Sequence, residues 1–137
     1  MTRRGWLVAT AVLLGLLADG GGPVLALQST AEDEGIRYLD VTPLDVPLTR
    51  GGFIQGHVVI RAALKVEDQR SRTKVEEMRP KLEAAFLMVV TELARYDLEA
   101  EAPIDTGLVR QRLQEAADRI LGPGVTQVFV IEAMTTR

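Results

Sequence analysis

Alternating apolar and polar residues predict a strand at the start of the globular part of the chain. Within residues 38–49, one side of the expected strand carries the apolar residues Leu44, Val46 and Leu48, and the other side carries the polar residues Asp45 and Thr49. This two-residue period is that of a strand. Pro43 and Pro47 cannot donate ladder hydrogen bonds, so we expect the strand at an edge of its sheet. Arg50-Gly51-Gly52 then predicts a three-residue hairpin loop, because glycine adopts the left-handed conformation that such a loop needs.

The clearest pattern in the chain follows this loop. Alternate positions are non-polar at Ile54, Gly56, Val58, Ile60, Ala62, Leu64 and Val66. The intervening positions are mostly polar and include His57, Arg61 and Lys65. A slip of one residue would bury Arg61 and Lys65, so the register is well determined. The pattern predicts a long strand in a sheet with one buried and one wet face.

Beyond Asp68 the apolar spacing changes to steps of three and four, which predicts a helix. The expected core positions are Val75, Met78, Leu82, Phe86, Val89, Leu93 and Tyr96. Pro80 predicts either a kink or a short helix ending near Met78 with a second helix starting at the proline. A further helix over 108–121 is expected, with Asp105 or Thr106 as its N-cap and Gly122-Pro123-Gly124 as its end.

The last segment, 125–134, is rich in β-branched residues and predicts a strand. Its middle, 128–131, is apolar on both faces, which favours a central position in the sheet. The order strand, strand, helix, helix, strand predicts an α+β fold. We expect an antiparallel or mixed sheet of about three strands with the helices on one face, formed by residues 36–137.

The N-terminus predicts export from the cytoplasm. Arg3 and Arg4 precede an apolar run whose main membrane-contacting residues would be Trp6, Leu7, Val8, Val12, Leu13, Leu14, Leu16 and Leu17. Residues 1–27 are either a signal peptide cleaved after Ala26 or a retained membrane helix. Asp19 would cost the helix about 2–3 kcal/mol in the bilayer. In both cases the basic start stays in the cytoplasm and the remainder crosses the membrane. Polar residues 28–35 form a flexible tether.

Composition and residue types exclude several function classes. The chain has 16 Lys and Arg against 19 Asp and Glu, a net charge of −3, and no basic segment without matching acids, so nucleic acid is not an expected partner. There is no cysteine, and His57 is the single histidine. The carboxylate pairs Glu76/Glu77 and Glu99/Glu101 are poorly placed for acid–base work. We therefore expect no catalytic residue, metal, cofactor or small-molecule substrate, and a protein that acts by binding proteins.

Two places are predicted to contact a partner or a second copy. The stretch 86–90 has more apolar surface than one sheet face needs, so Leu87 and Val90 are expected at the surface. The alternative is a helix laid flat across the sheet that buries the whole stretch. His57 and Arg61, on the polar face of the long strand, complete the expected surface.

The segments Tyr38-Leu39-Asp40, 56–67, 75–82 with its Met-Arg-Pro, 108–121 and 127–132 together resemble the flagellar basal-body-associated FliL family. The resemblance implies a single-pass inner-membrane protein with a stomatin-like (SPFH-like) periplasmic domain and no cofactor. It also implies a scaffold that self-assembles, associates with the flagellar stator and other basal-body proteins, and supports motor rotation and motility. The interruption at 19–23 departs from the family, whose membrane helix is usually longer and cleaner. The resemblance nevertheless favours retention of the anchor.

The alternative is a soluble periplasmic module that binds a peptide or small ligand after signal cleavage. An enzyme with an unrecognised site is a more remote alternative. The anchored scaffold predicts a mature protein in the membrane fraction, whereas the released module predicts one in the soluble fraction.

Overall fold

Four antiparallel strands and two helices make up the part of the chain that the computed structural model describes, residues 37–137. In chain order they are β1 (Tyr38–Asp40), β2 (Leu44–Arg50), β3 (Phe53–Val66), α1 (Gln69–Tyr96), α2 (Thr106–Leu121) and β4 (Thr126–Thr136). This arrangement confirms the predicted α+β class and the antiparallel sheet.

β3 is the central strand of the sheet. β1 and β2 pair with successive parts of one side of β3, and β4 pairs along its other side. The prediction that the last strand is central is therefore wrong. The middle of this strand is apolar on both faces, but Phe129 and Ile131 are exposed on the outside of the sheet. No second layer covers them within residues 37–137.

The predicted first strand is divided in two. Residues 41–43 separate β1 from β2, because Pro43 has no N–H to donate to the ladder. The backbone N–H of Val41 still donates to the carbonyl of Ala62, so the two short strands follow the same side of β3. The sheet thus has four strands where about three were expected. The edge position predicted for the strand that contains Pro47 is confirmed.

The hairpin between β2 and β3 turns on two residues. Arg50 pairs with Phe53, and Gly51 and Gly52 have φ angles of 57° and 84°. Two consecutive left-handed residues are typical of the type I′ turn, whose twist matches that of the flanking strands. The expected three-residue loop is therefore wrong, since Arg50 belongs to the ladder.

A β-bulge changes which face Ile54 occupies. Leu48 pairs with Gly56 and Thr49 with Ile54, so Gln55 is an extra residue in β3. An extra residue reverses the alternation of faces beyond it. The predicted buried face is confirmed from Gly56 to Val66, but Ile54 is exposed.

The core lies between the inner face of the sheet and the two helices. α1 contacts β2 and α2, and α2 also contacts β4. The largest fully buried side chains are Leu48, Val58, Ile60, Val66, Val75, Leu82, Phe86, Val90, Val109, Leu113, Leu121 and Val128. Each contributes about 1.5–3 kcal/mol through its burial. Tyr96, expected in the core, is exposed because it is the last residue of α1.

α1 continues through Pro80 as one helix, so the alternative of two helices is wrong. Pro80 and Glu76 are both exposed, which leaves the Glu76 carbonyl accessible to water where the proline removes its helical donor.

Each helix begins at an aspartate that caps it. The Asp68 carboxylate accepts the Ser71 N–H at 2.7 Å, and the Asp105 carboxylate accepts the Leu108 N–H at 3.1 Å. These bonds satisfy backbone donors that have no partner within a helix. α2 ends at Gly122, whose φ is 97°. The N-cap predicted at Asp105 and the glycine stop are confirmed.

The Asp68 cap predicts that part of the stability is lost in acid. The backbone N–H of Ser71, then its hydroxyl, lower the pKa of the Asp68 carboxyl. Desolvation opposes this effect, and the charge of Arg70 lowers the pKa by a smaller amount. A pKa below the unfolded value of about 3.9 stabilises the fold at pH values above that value. The contribution disappears as the pH falls through the folded pKa.

The measurement compares wild type with Asp68→Asn by urea unfolding between pH 7 and pH 2. Asparagine caps equally well but carries no charge. We expect the wild type to be the more stable at pH 7 and the difference to shrink as the pH falls through the folded pKa of Asp68. A difference that does not change with pH would contradict a role for the charge.

Candidate interaction surfaces

The tip of the β2–β3 hairpin is the most exposed apolar part of the described domain. Phe53 is 76 % exposed and Ile54 is 67 % exposed. They follow Gly51 and Gly52, so four consecutive residues at the tip lack a polar side chain. Phe53 pairs with Arg50 in the ladder, and the tip therefore presents its apolar side chains from a hydrogen-bonded backbone.

The base of this tip is attached to the end of α1. The Arg50 guanidinium donates to the backbone carbonyls of Arg95 and Leu98. A polar recess beside it is lined by Arg50, Gln55, Glu99, Ala100, Glu101 and Arg137. Glu101 forms an ion pair with Arg137. Glu99 forms no ion pair with any of residues 37–137, so one unpaired carboxylate lies close to the tip.

A groove of about 740 Å³ lies between the C-terminal half of α1 and the end of α2. Its apolar lining consists of Ala85, Leu87, Met88, Val89, Tyr96, Ala116 and Ile120. Met88 is 74 % exposed, and Leu87 and Tyr96 are also exposed. Arg95 and Arg119 line the same groove and make no ion pair within the described part of the chain. Glu92 lines the groove as well, so the groove is apolar with charged side chains of both signs at its border.

The outer face of the sheet carries a second apolar patch. Tyr38 and Phe129 lie with their ring centroids 6.2 Å apart and their planes tilted by 60°. Between them the register places Ala63, which pairs with Phe129 and lies two residues before Lys65, the partner of Tyr38. Ile131 and Met134 extend the patch along β4 and are exposed.

Polar pairs border this outer patch. The Nδ1 atom of His57 lies 2.9 Å from the Asp45 carboxylate, and both side chains are about half exposed. The Arg61 guanidinium lies 3.7 Å from the Glu132 carboxylate. An exposed ion pair contributes about 0–1 kcal/mol, so the Arg61–Glu132 pair adds little to the stability of the fold.

The four residues predicted for a partner surface do not share one surface. His57 and Arg61 are exposed on the outer face of the sheet, whereas Leu87 lies in the groove of the helical layer. Val90 is 0 % exposed and belongs to the core. Its predicted surface position is wrong, because α1 turns Val90 toward the core and Met88 outward. Sequence reasoning missed the hairpin tip, although two large apolar residues directly after a Gly-Gly turn are a usable signal.

One carboxylate of each pair considered for acid–base chemistry forms an ion pair with an arginine. Glu76 pairs with Arg72 at 3.1 Å, and Glu101 pairs with Arg137. Among residues 37–137, no group of three or more His, Asp or Glu side chains is arranged to hold a metal ion. In the same range, each fully buried side-chain nitrogen or oxygen has a hydrogen-bond partner.

The predicted membrane segment, from Trp6 to Leu17, and the tether 28–35 lie outside the described residues. Within residues 37–137, neither helix combines the length and the apolar character that a membrane span requires.

Comparison with known proteins returns no relative: no family model, no curated protein and no solved structure matches the chain.

Proposed function

We propose that this protein is a non-enzymatic, membrane-anchored scaffold on the periplasmic side of the bacterial inner membrane, similar to the FliL family. In this proposal residues 1–27 anchor the chain, and the domain binds the flagellar stator and further copies of itself. Such an assembly would hold the stator's periplasmic linker in its active, extended state and so support motility. A stomatin-like arrangement of the four strands and two helices is part of the same proposal.

One observation carries the proposal: a small domain exposes apolar side chains on three separate surfaces. These are the hairpin tip, the groove between the helices and the outer sheet patch. Exposed apolar patches on soluble domains are typical of contact sites for other proteins. Their presence on different sides of the fold favours a scaffold that contacts more than one neighbour.

The location of the mature protein tests the anchor. We expect a full-length product that stays with the membrane after carbonate washing. A product that begins at Leu27 and is found in the soluble fraction would contradict the anchor and favour the released ligand-binding module.

Gene deletion with complementation tests the motor function. We expect deletion to reduce swimming and stator occupancy and the wild-type gene to restore both. Ile131→Glu places a charge in the outer sheet patch and is expected to restore them poorly. Gln127→Glu is the matched control, because it adds the same charge to an exposed position of the same strand. Normal motility and occupancy in the deletion strain would overturn the proposal.

A further inference from the structure

A side chain of α2 covers the free edge of the sheet where β4 begins. The Oε1 atom of Gln114 accepts a hydrogen bond from the Val128 N–H at 2.8 Å, and its Nε2 atom donates to the Thr126 carbonyl at 2.9 Å. The C=O of one residue and the N–H of the second residue after it face the same side of a strand, where a neighbouring strand binds them. The carboxamide thus takes the place of the next strand.

We propose that Gln114 guards the β4 edge: its carboxamide prevents β4 of a second copy from adding to the sheet there. An exposed edge strand presents unpaired N–H and C=O groups, on which another chain can pair. The inference goes beyond the proposed function, because it identifies a part of the domain that is closed to self-contact and not a surface that makes it.

The register of β4 shows which part of the edge needs the guard. Thr126 and Val128 direct their backbone groups toward Gln114, so the residues between them face β3, and the same alternation places the N–H of Val130 on the free side. Ile131 is an extra residue, since its neighbours Val130 and Glu132 pair with consecutive residues of β3. This bulge breaks the two-residue repeat that a partner strand follows. The regular part of the edge therefore ends at Val130.

Gln114 is held in the orientation that a guard needs. Its Nε2 atom also donates to the Asp118 carboxylate at 2.9 Å, one turn later on α2. A flipped amide would place its oxygen against this carboxylate and its NH₂ group against the Val128 N–H, and both contacts would be repulsive. The carboxamide is therefore fixed, and an incoming strand must break two hydrogen bonds to reach the backbone of β4.

The opposite edge of the sheet is protected in a different way. Residues 41–43 interrupt it between β1 and β2, and Pro47 lies within β2 without an N–H to donate. Short edge strands and prolines hinder pairing with another chain. Both edges thus carry features that oppose strand addition, which leaves the side-chain surfaces for contact with neighbours.

Hydrogen exchange of the full chain, followed by NMR at a low and a high protein concentration, tests the guard. Gln114→Met keeps the length of the side chain but removes its hydrogen bonds. At low concentration the Val128 amide is expected to exchange about tenfold faster than in the wild type. At high concentration the Val128 and Val130 amides are expected to slow together, because β4 of a second copy then covers them. In the wild type we expect neither rate to depend on concentration.

Gln111→Met is the matched control. Gln111 lies one turn earlier on α2, and its Nε2 atom donates to the Glu115 carboxylate at 3.2 Å. The substitution therefore also removes an amide hydrogen bond to a carboxylate one turn later, but that bond lies within α2. Exchange at Val128 is expected to match the wild type at both concentrations.

Gln114→Ala is a second variant that removes the same hydrogen bonds and introduces a good helix former. It is expected to show the same dependence on concentration as the methionine variant, and circular dichroism verifies the fold of both. A guard is separable from folding, so failure of both variants to fold would overturn the proposal.

A purely structural role for Gln114 gives a different result. Loss of its hydrogen bonds would then lower the free energy of unfolding and speed exchange at Val128 equally at every concentration. Rates that do not depend on concentration in the two folded variants would overturn the guard, and so would rapid exchange at Val128 in the wild type. None of these outcomes depends on motility or on the anchor, so the guard and the proposed function fail separately.

Discussion

Val90→Lys is expected to unfold the domain, whereas Leu87→Lys, one turn earlier on α1, leaves it folded. Val90 is 0 % exposed and Leu87 is 44 % exposed. A lysine at 90 would place an unpaired ammonium in the core and remove apolar packing, a loss of at least about 4 kcal/mol. The free energy of unfolding of a domain of this size is about 5–15 kcal/mol, so the variant loses a large part of its stability. At 87 the lysine stem can cover apolar surface while its charge reaches water, at a cost of at most about 1 kcal/mol.

The stabilities of the two variants are measured by urea unfolding, with circular dichroism as the signal. The two variants carry the same new charge on the same helix, so the difference between them isolates burial. A folded Val90→Lys variant with near-normal stability would show that the position is accessible to water. Leu87→Lys has a second expected effect, weaker self-association, because Leu87 lines the groove.

Gly56→Val is expected to displace the C-terminal end of β4. A Cβ atom at Gly56 would lie 2.2 Å from the backbone carbonyl oxygen of Thr136, which is much closer than non-bonded atoms approach. The obstacle is backbone, so a change of rotamer cannot relieve it, and valine adds two methyl groups to the clash. Overpacking of this kind costs about 1–3 kcal/mol. β4 is an edge strand, so its end can separate from β3 without disrupting the rest of the sheet.

Amide hydrogen exchange measures the displacement directly. We expect faster exchange at Thr135 and Thr136 in the Gly56→Val variant and little change at the start of β4, near Thr126. Gly52→Ala is a useful control, because its Cβ would meet nothing within 4 Å although its φ is 84°. Its cost of about 1–2 kcal/mol comes from backbone conformation alone, and β4 should exchange normally. Unchanged exchange at the end of β4 in Gly56→Val would contradict the close approach.

The strands were predictable where one face meets the core. Val58, Ile60 and Leu64 alternate with polar neighbours, and a change of register would bury Arg61 and Lys65, so local pattern and packing agree. The pattern failed at Ile54 because a bulge at Gln55 changes the face. A bulge is set by how two strands pair, and the residues of one strand do not specify it.

The helical surface was predictable only in part. Positions 86, 89, 90 and 93 all fit steps of three and four, so the sequence allows the buried stripe to include Val90 or to leave it outside. α1 packs against both the sheet and α2, and this second contact widens the buried stripe. The same packing forms the groove beside Leu87, since a groove requires two helices whose distance is set by the whole core.

The amino-acid sequence alone determined the α+β class, the order of the hairpin, the two helices and the last strand, the choice of Asp105 or Thr106 as the cap of α2, and most of the buried face of β3. Each depends on interactions between residues close in the chain or on the period of apolar side chains. Only the tertiary structure decided that β3 is central, that β4 is an edge, and that Val90 is buried while Phe53 is exposed. These features depend on which elements lie beside each other, because burial is a property of the packed neighbours and not of the residue itself.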